Sequence, residues 1–173
     1  MSPSLARSYV VLTTLLSAYF VALWWVVTRG SSASVDPAAL VRPVIALVAL
    51  TAVVWILMFV FRNLTVIRGR VSVDYYKAFR GPEAPDDWVE RPARTFMNLL
   101  EAPVLFYVVC ILMLVMHKCD PAQLQLAWIF VGVRVLHVII YIGFNHVPSR
   151  LGAYVASCVA LAVMWFRFSA QVL

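Results

Sequence analysis

Long apolar runs separated by short polar connections dominate this chain. A helix needs about 20 predominantly apolar residues to cross the hydrocarbon core of a bilayer. The runs are continuously apolar and do not alternate residue by residue, so they favour helices over the strands of a membrane barrel. We therefore predict five transmembrane helices, at Tyr9–Thr28, Val44–Phe61, Pro92–Met116, Leu124–Phe144 and Leu151–Phe168.

These runs fill nearly the whole chain and leave little of it for a soluble domain. Hydrophobic residues make up 64% of the sequence and charged residues 13%, whereas soluble domains are about 45–50% apolar. Arg7 precedes the first run, as in a signal sequence, but the run is longer than the roughly 7–15 apolar residues of such a segment. We predict an all-α integral membrane protein that retains its first helix.

Much of the positive charge lies in one connection, at about residues 62–91. The positive-inside rule places that loop in the cytoplasm, with the N-terminus cytoplasmic and the C-terminus external. The compact loops favour a bacterial inner membrane. Although the formal net charge is +6, a nucleic-acid partner is not expected, because the same connection also carries Glu83, Asp86, Asp87 and Glu90.

Prolines are expected to shape this loop and the span that follows it. Pro82, Pro85 and Pro92 predict that no long helix runs through the loop. Pro103 removes a backbone hydrogen bond two residues after Glu101, so we expect a kink there that opens space beside the third span.

The sequence lacks the usual spacing of a metal or nucleophile site. Cys110, Cys119 and Cys158 do not form a metal-ligand or redox motif, and we expect them to be packing residues without disulfides. We predict no metal site, because no second histidine or acid recurs at ligand spacing. Ser149 and Ser157 are interpreted as lacking a placed base.

Polar residues at helical spacing mark three of the predicted spans. A charged group that faces lipid costs at least about 2.5 kcal/mol, so we expect these side chains to face protein or a wet cavity and to pair with one another. The set is Arg94, Asn98 and Glu101 in the third span, Arg134, His137 and Tyr141 in the fourth, and Arg150 and Tyr154 at the start of the fifth.

Several readings of this set remain open. Arg94 and Arg150 stand near helix ends, where an arginine can extend its head group to the lipid surface. Glu101 and Arg134 lie deeper and could form a structural ion pair. His137 could be a packed histidine. As a functional set, arginines that bind carboxylates and a glutamate that accepts from an ammonium group suit a small zwitterionic anion.

Two motifs resemble a known family. "ERPARTFMNLLEAPVLF" (Glu90–Phe106) is similar to the second-helix signature of the MAPEG family, the membrane-associated proteins in eicosanoid and glutathione metabolism. "RVLHVIIYIGFNHVPSRLGAY" (Arg134–Tyr154) resembles the third helix of that family and the start of its fourth. "KAFRGPE" (Lys77–Glu83) is similar to the loop after the first family helix.

The resemblance implies a four-helix MAPEG-like bundle at residues 43–173, preceded by an additional transmembrane helix and external linker at residues 1–42. It also implies a homotrimer with sites between subunits on the cytoplasmic side, and glutathione as cosubstrate. Arg150 would be catalytic by stabilising the glutathione thiolate. The glutathione-binding residues would be Arg94, Asn98, Glu101, Arg134, His137 and Tyr141, with Tyr154 beside them.

The predicted function is that of a glutathione-dependent transferase or peroxidase acting on lipophilic electrophiles or lipid hydroperoxides within the membrane. Met97, Leu151 and Ala84 depart from residues found in some family members, and Ala84 and Leu151 make prostaglandin isomerase chemistry unexpected. The alternative is a non-enzymatic membrane subunit or lipid-binding scaffold in a larger complex. In that case the helix at residues 9–28 would bind a membrane-protein partner. A channel or transporter is disfavoured, because the polar residues gather at one membrane face.

Overall fold

The computed structural model describes residues 3–28, 35–78 and 85–173, and in these ranges every regular element is a helix. A short 3-10 turn, Pro37–Leu40, leads into the helix that begins at Val41. The motif at residues 77–83 and the departure at Ala84 extend outside the described residues. The helices are α1 (Pro3–Thr28), α2 (Val41–Ile67), α3 (Val73–Ala78), α4 (Asp87–Leu100), α5 (Ala102–Val115), α6 (Pro121–Ile142) and α7 (Val147–Val172).

Five helical stretches are long and apolar enough to cross a membrane, with α4 and α5 together forming the third. The predicted all-α membrane fold and its five spans are therefore confirmed. Several boundaries differ by a few residues, because the helices extend beyond the apolar runs into flanking residues. Asp120, for example, starts α6 through a capping box with Gln123, and Pro121 occupies the first helical position.

Pro92 lies buried inside α4, so the third span begins at Asp87, five residues before the predicted start at Pro92. A proline ring removes the hydrogen bond to the carbonyl four residues earlier. Here that carbonyl belongs to Trp88, in the first turn of α4, so the loss falls at the edge of the helix. As a result α4 begins at Asp87, and the polar residues that follow all stand on a helix.

The kink predicted from Pro103 is confirmed. Glu101 has φ −91° and ψ −96°, outside the helical region, and separates α4 from α5. Pro103 cannot donate to the carbonyl of Leu99, which removes one of the bonds that would hold the two helices in line. Glu101 is therefore held at a helix break within the membrane span.

The core lies where α6 packs along α7 and meets α2, α4 and α5. Phe106 of α5 stacks on Phe130 of α6, with ring centroids 4.7 Å apart and an interplanar angle of 13°. Leu47, Leu126 and Met164 are fully buried around this pair. Apolar residues on the outer faces stay exposed within the chain, as expected for side chains that contact lipid.

The additional helix α1 packs on α6 and α7 of its own chain. Leu12 lies against Gly152, where a Cβ atom would clash with the leucine side chain. The Tyr19 hydroxyl donates a hydrogen bond of 2.6 Å to the Ala156 carbonyl. Trp24 remains 71% exposed on the outer side of α1.

A polar network ties α1, α6 and α7 together at the end of the bundle opposite Arg94. Asp120 accepts from Arg167 at 2.6 Å and from Gln171 at 2.9 Å. Arg167 also donates to the Val27 carbonyl at the end of α1, at 3.2 Å. Arg167 is an arginine within an apolar span, and that was a sequence signal for this network.

We expect Asp120→Ala to destabilise the protein by about 2–4 kcal/mol, because it removes the α6 cap and the ion-pair partner of a largely buried Arg167. The apparent melting temperature in detergent measures this loss. Asp120→Asn is the matched variant, since it keeps a capping oxygen and removes only the charge, and its loss should be smaller. Equal melting temperatures for Asp120→Ala and the parent protein would contradict this role.

Candidate functional site

Arg134 of α6 is the most deeply buried charged group among the described residues, with 0% of its surface exposed. Its guanidinium carbon lies 5.3 Å from the ring centroid of Phe130 and 5.2 Å from that of Tyr154 on α7. Both distances are within the range of a cation–π contact. The two rings hold the guanidinium in place but accept none of its classical hydrogen bonds.

The nitrogens of this guanidinium have no hydrogen-bond acceptor in the part of the chain that the structure describes. This holds for Nε, Nη1 and Nη2 of Arg134. An uncompensated charge in a protein interior costs several kcal/mol, and buried polar groups nearly always find partners. The Arg134 guanidinium therefore keeps its hydrogen-bond donors unused by the described residues.

His137 lies one turn further along α6 and is 2% exposed. Its ring centroid is 5.8 Å from that of Tyr141 and 6.1 Å from that of Tyr154. The Nδ1 atom of His137 is buried and, like the Arg134 guanidinium, makes no hydrogen bond to any described residue. His137 thus supplies a second buried polar atom within the same cluster.

Arg150, at the start of α7, completes the cluster on α6 and α7. Its guanidinium carbon lies 4.2 Å from the Tyr141 ring centroid, and Nη1 donates to Oδ1 of Asn145 at 2.9 Å. Asn145 has φ 48°, a left-handed conformation that asparagine tolerates better than most residues. Sequence reasoning missed Asn145, although an asparagine just after a helix was a signal for such a turn.

Two of the α4 residues of the predicted site, Arg94 and Asn98, bond to residues of their own helix. Arg94 is exposed and pairs with Asp87 of its own helix at 3.0 Å. Asn98 donates to the Arg94 carbonyl at 3.0 Å. The Glu101 side chain is exposed at the helix break.

The expectation that the polar set pairs with itself was therefore wrong for Arg94 and Asn98. Glu101 makes no hydrogen bond to Arg134, but its charge interacts with the guanidinium. Arg94 has a nearer carboxylate seven residues earlier on the same face of α4, and Arg134 is buried between aromatic rings. The structure brings together Arg134, His137, Tyr141, Arg150 and Tyr154. Arg94 and Asn98 bond within α4, whereas the charge of Glu101 interacts with Arg134 and Tyr154 without a hydrogen bond to Arg134.

Two other residues of the Glu90–Phe106 motif, Glu90 and Arg91, form contacts between helices. Glu90 of α4 accepts from Arg62 of α2 at 2.8 Å. Arg91 bonds to Asp87 at 2.8 Å and donates to the Gly143 carbonyl, just after α6, at 2.7 Å. These contacts fix the start of α4 against α2 and the α6–α7 turn, next to Arg150.

Ser149 has a histidine beside it, so the interpretation that it lacks a placed base was wrong. Nδ1 of His146 lies 2.8 Å from Oγ of Ser149. The two residues are three positions apart in the first turn of α7, where side chains readily meet across the turn. Ser157, in contrast, donates to the Tyr154 carbonyl of its own helix at 2.7 Å.

The cysteines are free and largely buried. Cys110 and Cys119 are buried, and Cys158 is half-buried. Burial, with the nearby charges of Asp120 and Asp36, raises the pKa of the Cys119 thiol to about 11, so Cys119 is protonated at neutral pH. Within the described ranges, no group of three or more histidine, cysteine or acidic side chains could hold a metal ion.

Comparisons with known proteins give one family. None of the curated proteins matched the chain. The model of the MAPEG family matches residues 40–170, from the end of the 3-10 turn to near the end of α7. The match covers both motifs on which the resemblance rested and leaves α1 outside it. The chain therefore belongs to the MAPEG family of integral membrane proteins.

Proposed function

We propose that the protein binds reduced glutathione and transfers it to lipophilic electrophiles, or uses it to reduce lipid hydroperoxides. Membership of the MAPEG family supports a role in glutathione or eicosanoid metabolism. The observation that carries the proposal is the buried Arg134 guanidinium, which lacks an acceptor in the described ranges. A glutathione carboxylate has the charge and the planar shape to accept two hydrogen bonds from a guanidinium.

In this proposal Arg134 binds a carboxylate of glutathione, and Nδ1 of His137 forms a further hydrogen bond. Tyr141 and Tyr154 form aromatic walls next to both residues. Arg150 stands beside Tyr141 with its guanidinium held by Asn145. A guanidinium near the glutathione sulfur favours the thiolate, which is the reactive form.

The α4 residues enter the proposed site through assembly. Arg94, Asn98 and Glu101 follow one another at helical spacing on α4, and Arg94 and Glu101 are exposed within one chain. We propose a homotrimer in which this face of α4 meets the cluster of a neighbouring subunit. Glu101 would then accept from the ammonium group of glutathione, at the break between α4 and α5.

The chemistry follows from the thiolate. In a transfer reaction the sulfur forms a bond to the electrophilic carbon. The displaced electron pair either departs with a leaving group or moves from the π bond to the neighbouring atom, which then takes a proton from water. In a peroxide reduction the thiolate attacks the terminal oxygen of the O–O bond. That bond breaks to give the sulfenic acid of glutathione and a lipid alkoxide, which takes a proton from water to become the alcohol. A second glutathione then forms the disulfide and water. Both substrates would reach the site from the bilayer.

A second candidate is a non-enzymatic membrane subunit or lipid-binding scaffold. The feature that favours it is α1, which lies outside the family match. The exposed Trp24 and Trp25 on this helix could contact the headgroup region or a membrane-protein partner.

The deciding experiment titrates the purified protein with glutathione and records the ultraviolet difference absorbance of the thiolate at neutral pH. The proposal expects a saturable thiolate signal and turnover with a lipophilic electrophile or a lipid hydroperoxide. S-methyl glutathione, which cannot form a thiolate, is the matched control and should compete without giving the signal. Absence of both signal and competition, with other membrane proteins copurifying, would favour the subunit.

A further inference from the structure

A cavity of about 610 Å³ lies between the additional helix α1 and helices α6 and α7. This volume is within the range of about 300–1,000 Å³ that is typical of small-molecule sites. None of the residues predicted to bind glutathione lines it. Its apolar walls are formed by Val11, Leu12, Leu15, Leu16, Val133, Leu136, Ile140, Phe144, Gly152, Ala153 and Ala156.

Small residues on α7 create the space. Ala153 and Ala156 line the cavity on the side of α7, where larger side chains would fill the gap. Leu12 contacts α7 at Gly152, and the Tyr19 hydroxyl bonds to the Ala156 carbonyl at 2.6 Å. The Tyr19–Ala156 bond therefore links α1 to α7 across the gap. Tyr19 comes twelve residues after Arg7, a distance of about 18 Å along a helix. The cavity is therefore long as well as apolar.

The opposite end of the cavity is polar and cationic. Arg7 of α1 and the His146–Ser149 pair at the start of α7 line it. None of the described residues that line the cavity is acidic. An anionic group at this end would meet a guanidinium, a histidine and a hydroxyl, with its apolar part along α6 and α7.

We propose that this cavity binds the free carboxylate form of a long-chain fatty acid. The acyl chain lies along the apolar walls, and the carboxylate accepts from Arg7 and from the His146–Ser149 pair. Charge complementarity selects a carboxylate over an uncharged lipid, and the length of the cavity selects a single acyl chain. The site is separate from the proposed glutathione site and depends on α1.

The test uses the full-length protein in nanodiscs of zwitterionic phospholipid and a long-chain fatty acid that carries a photoreactive diazirine near its terminal methyl group. Labelled residues are mapped by mass spectrometry. The expected labels lie on cavity residues such as Leu15, Leu16 and Leu136. Labels spread evenly over exposed residues of α2, such as Ile45 and Trp55, would overturn the proposal by showing only general lipid contact.

Competition tests the carboxylate. Unlabelled fatty acid should displace the probe, and its methyl ester should be weaker by roughly tenfold or more, because it lacks the charge. Arg7→Gln should weaken binding by a similar factor, whereas Arg70→Gln, an exposed arginine outside the cavity, should not. Equal competition by acid and ester, or equal binding by the Arg7→Gln and Arg70→Gln variants, would overturn the proposal.

A cavity-filling variant tests the acyl end. Ala153→Leu should reduce labelling at Leu15 and Leu136 while the glutathione thiolate signal of the same preparation stays at the parent value. If Ala153→Leu does not fold, the Arg7→Gln comparison decides alone, because Arg7 is exposed. Unchanged cavity labelling in a folded Ala153→Leu protein would contradict the assigned position.

Discussion

Arg134→Met is expected to stabilise the ligand-free protein, or leave its stability unchanged, while it abolishes glutathione binding. The guanidinium is fully buried and lacks a hydrogen-bond acceptor in the described part of the chain. Replacing a buried charge by a well-packed apolar side chain often stabilises a protein by about 1–4 kcal/mol. Methionine has a flexible side chain that can fill the space between Phe130 and Tyr154.

Binding should change in the opposite direction. Hydrogen bonds to a charged group contribute about 1.5–3 kcal/mol each, so a bidentate contact between Arg134 and a carboxylate would account for at least a hundredfold in affinity. The dissociation constant for glutathione, measured by titration calorimetry, should rise by roughly that factor or more. The apparent melting temperature without ligand should stay the same or rise.

These two measurements separate a binding role from a structural one. If Arg134 were a structural residue held by its aromatic contacts, Arg134→Met would lower the melting temperature without glutathione. Arg68→Met, at an exposed arginine after α2, is the matched control and should change neither quantity. A lower melting temperature with unchanged glutathione affinity would reject the proposed role of Arg134.

The sequence predicted the membrane spans and the buried face of α6 well, because both depend on local properties. An apolar run of sufficient length specifies a spanning helix. Pro103 specifies a break, which the structure places at Glu101. The cost of an arginine in lipid directs Arg134 inward, and Arg134 is indeed buried.

Partner choice could not be predicted in the same way, because it depends on which helix faces meet. Helical spacing grouped Arg94 with Asn98 and Glu101 but did not show that Asp87 is the nearer partner of Arg94. It also missed the pairing of Asp120 with Arg167, which are 47 positions apart in sequence. Such contacts follow from the packing of α6 against α7, and a single-helix pattern does not contain that information.

The contacts that were not predicted near the α6–α7 turn are local in sequence. Asn145 and His146 were treated as a loop, although both act at the start of α7. Asn145 adopts a left-handed conformation and accepts from Arg150, and His146 contacts Ser149. The turn therefore supports two neighbouring sites: the cluster that contains Arg150 and the polar end of the α1 cavity.

Arg150→Ala is expected to remove most of the glutathione thiolate at neutral pH while leaving the protein folded. A free thiol has a pKa near 8.5. If the guanidinium lowers the thiol pKa of bound glutathione by about two units, roughly three quarters of the bound glutathione is thiolate at pH 7. Without the guanidinium, only a few per cent is thiolate. The turnover rate with a lipophilic electrophile should fall by about one order of magnitude or more, in line with the lost thiolate.

The pH dependence distinguishes this role from loss of binding. Because the variant leaves the thiol with its ordinary pKa, its thiolate signal should return as the pH rises through about 8.5, with saturation by glutathione retained. Arg150→Lys keeps the charge but loses the planar contact with Tyr141 and part of the bond to Asn145. Its thiolate signal at pH 7 should therefore lie between those of the parent protein and Arg150→Ala. A full thiolate signal in Arg150→Ala at pH 7 would show that another group stabilises the sulfur.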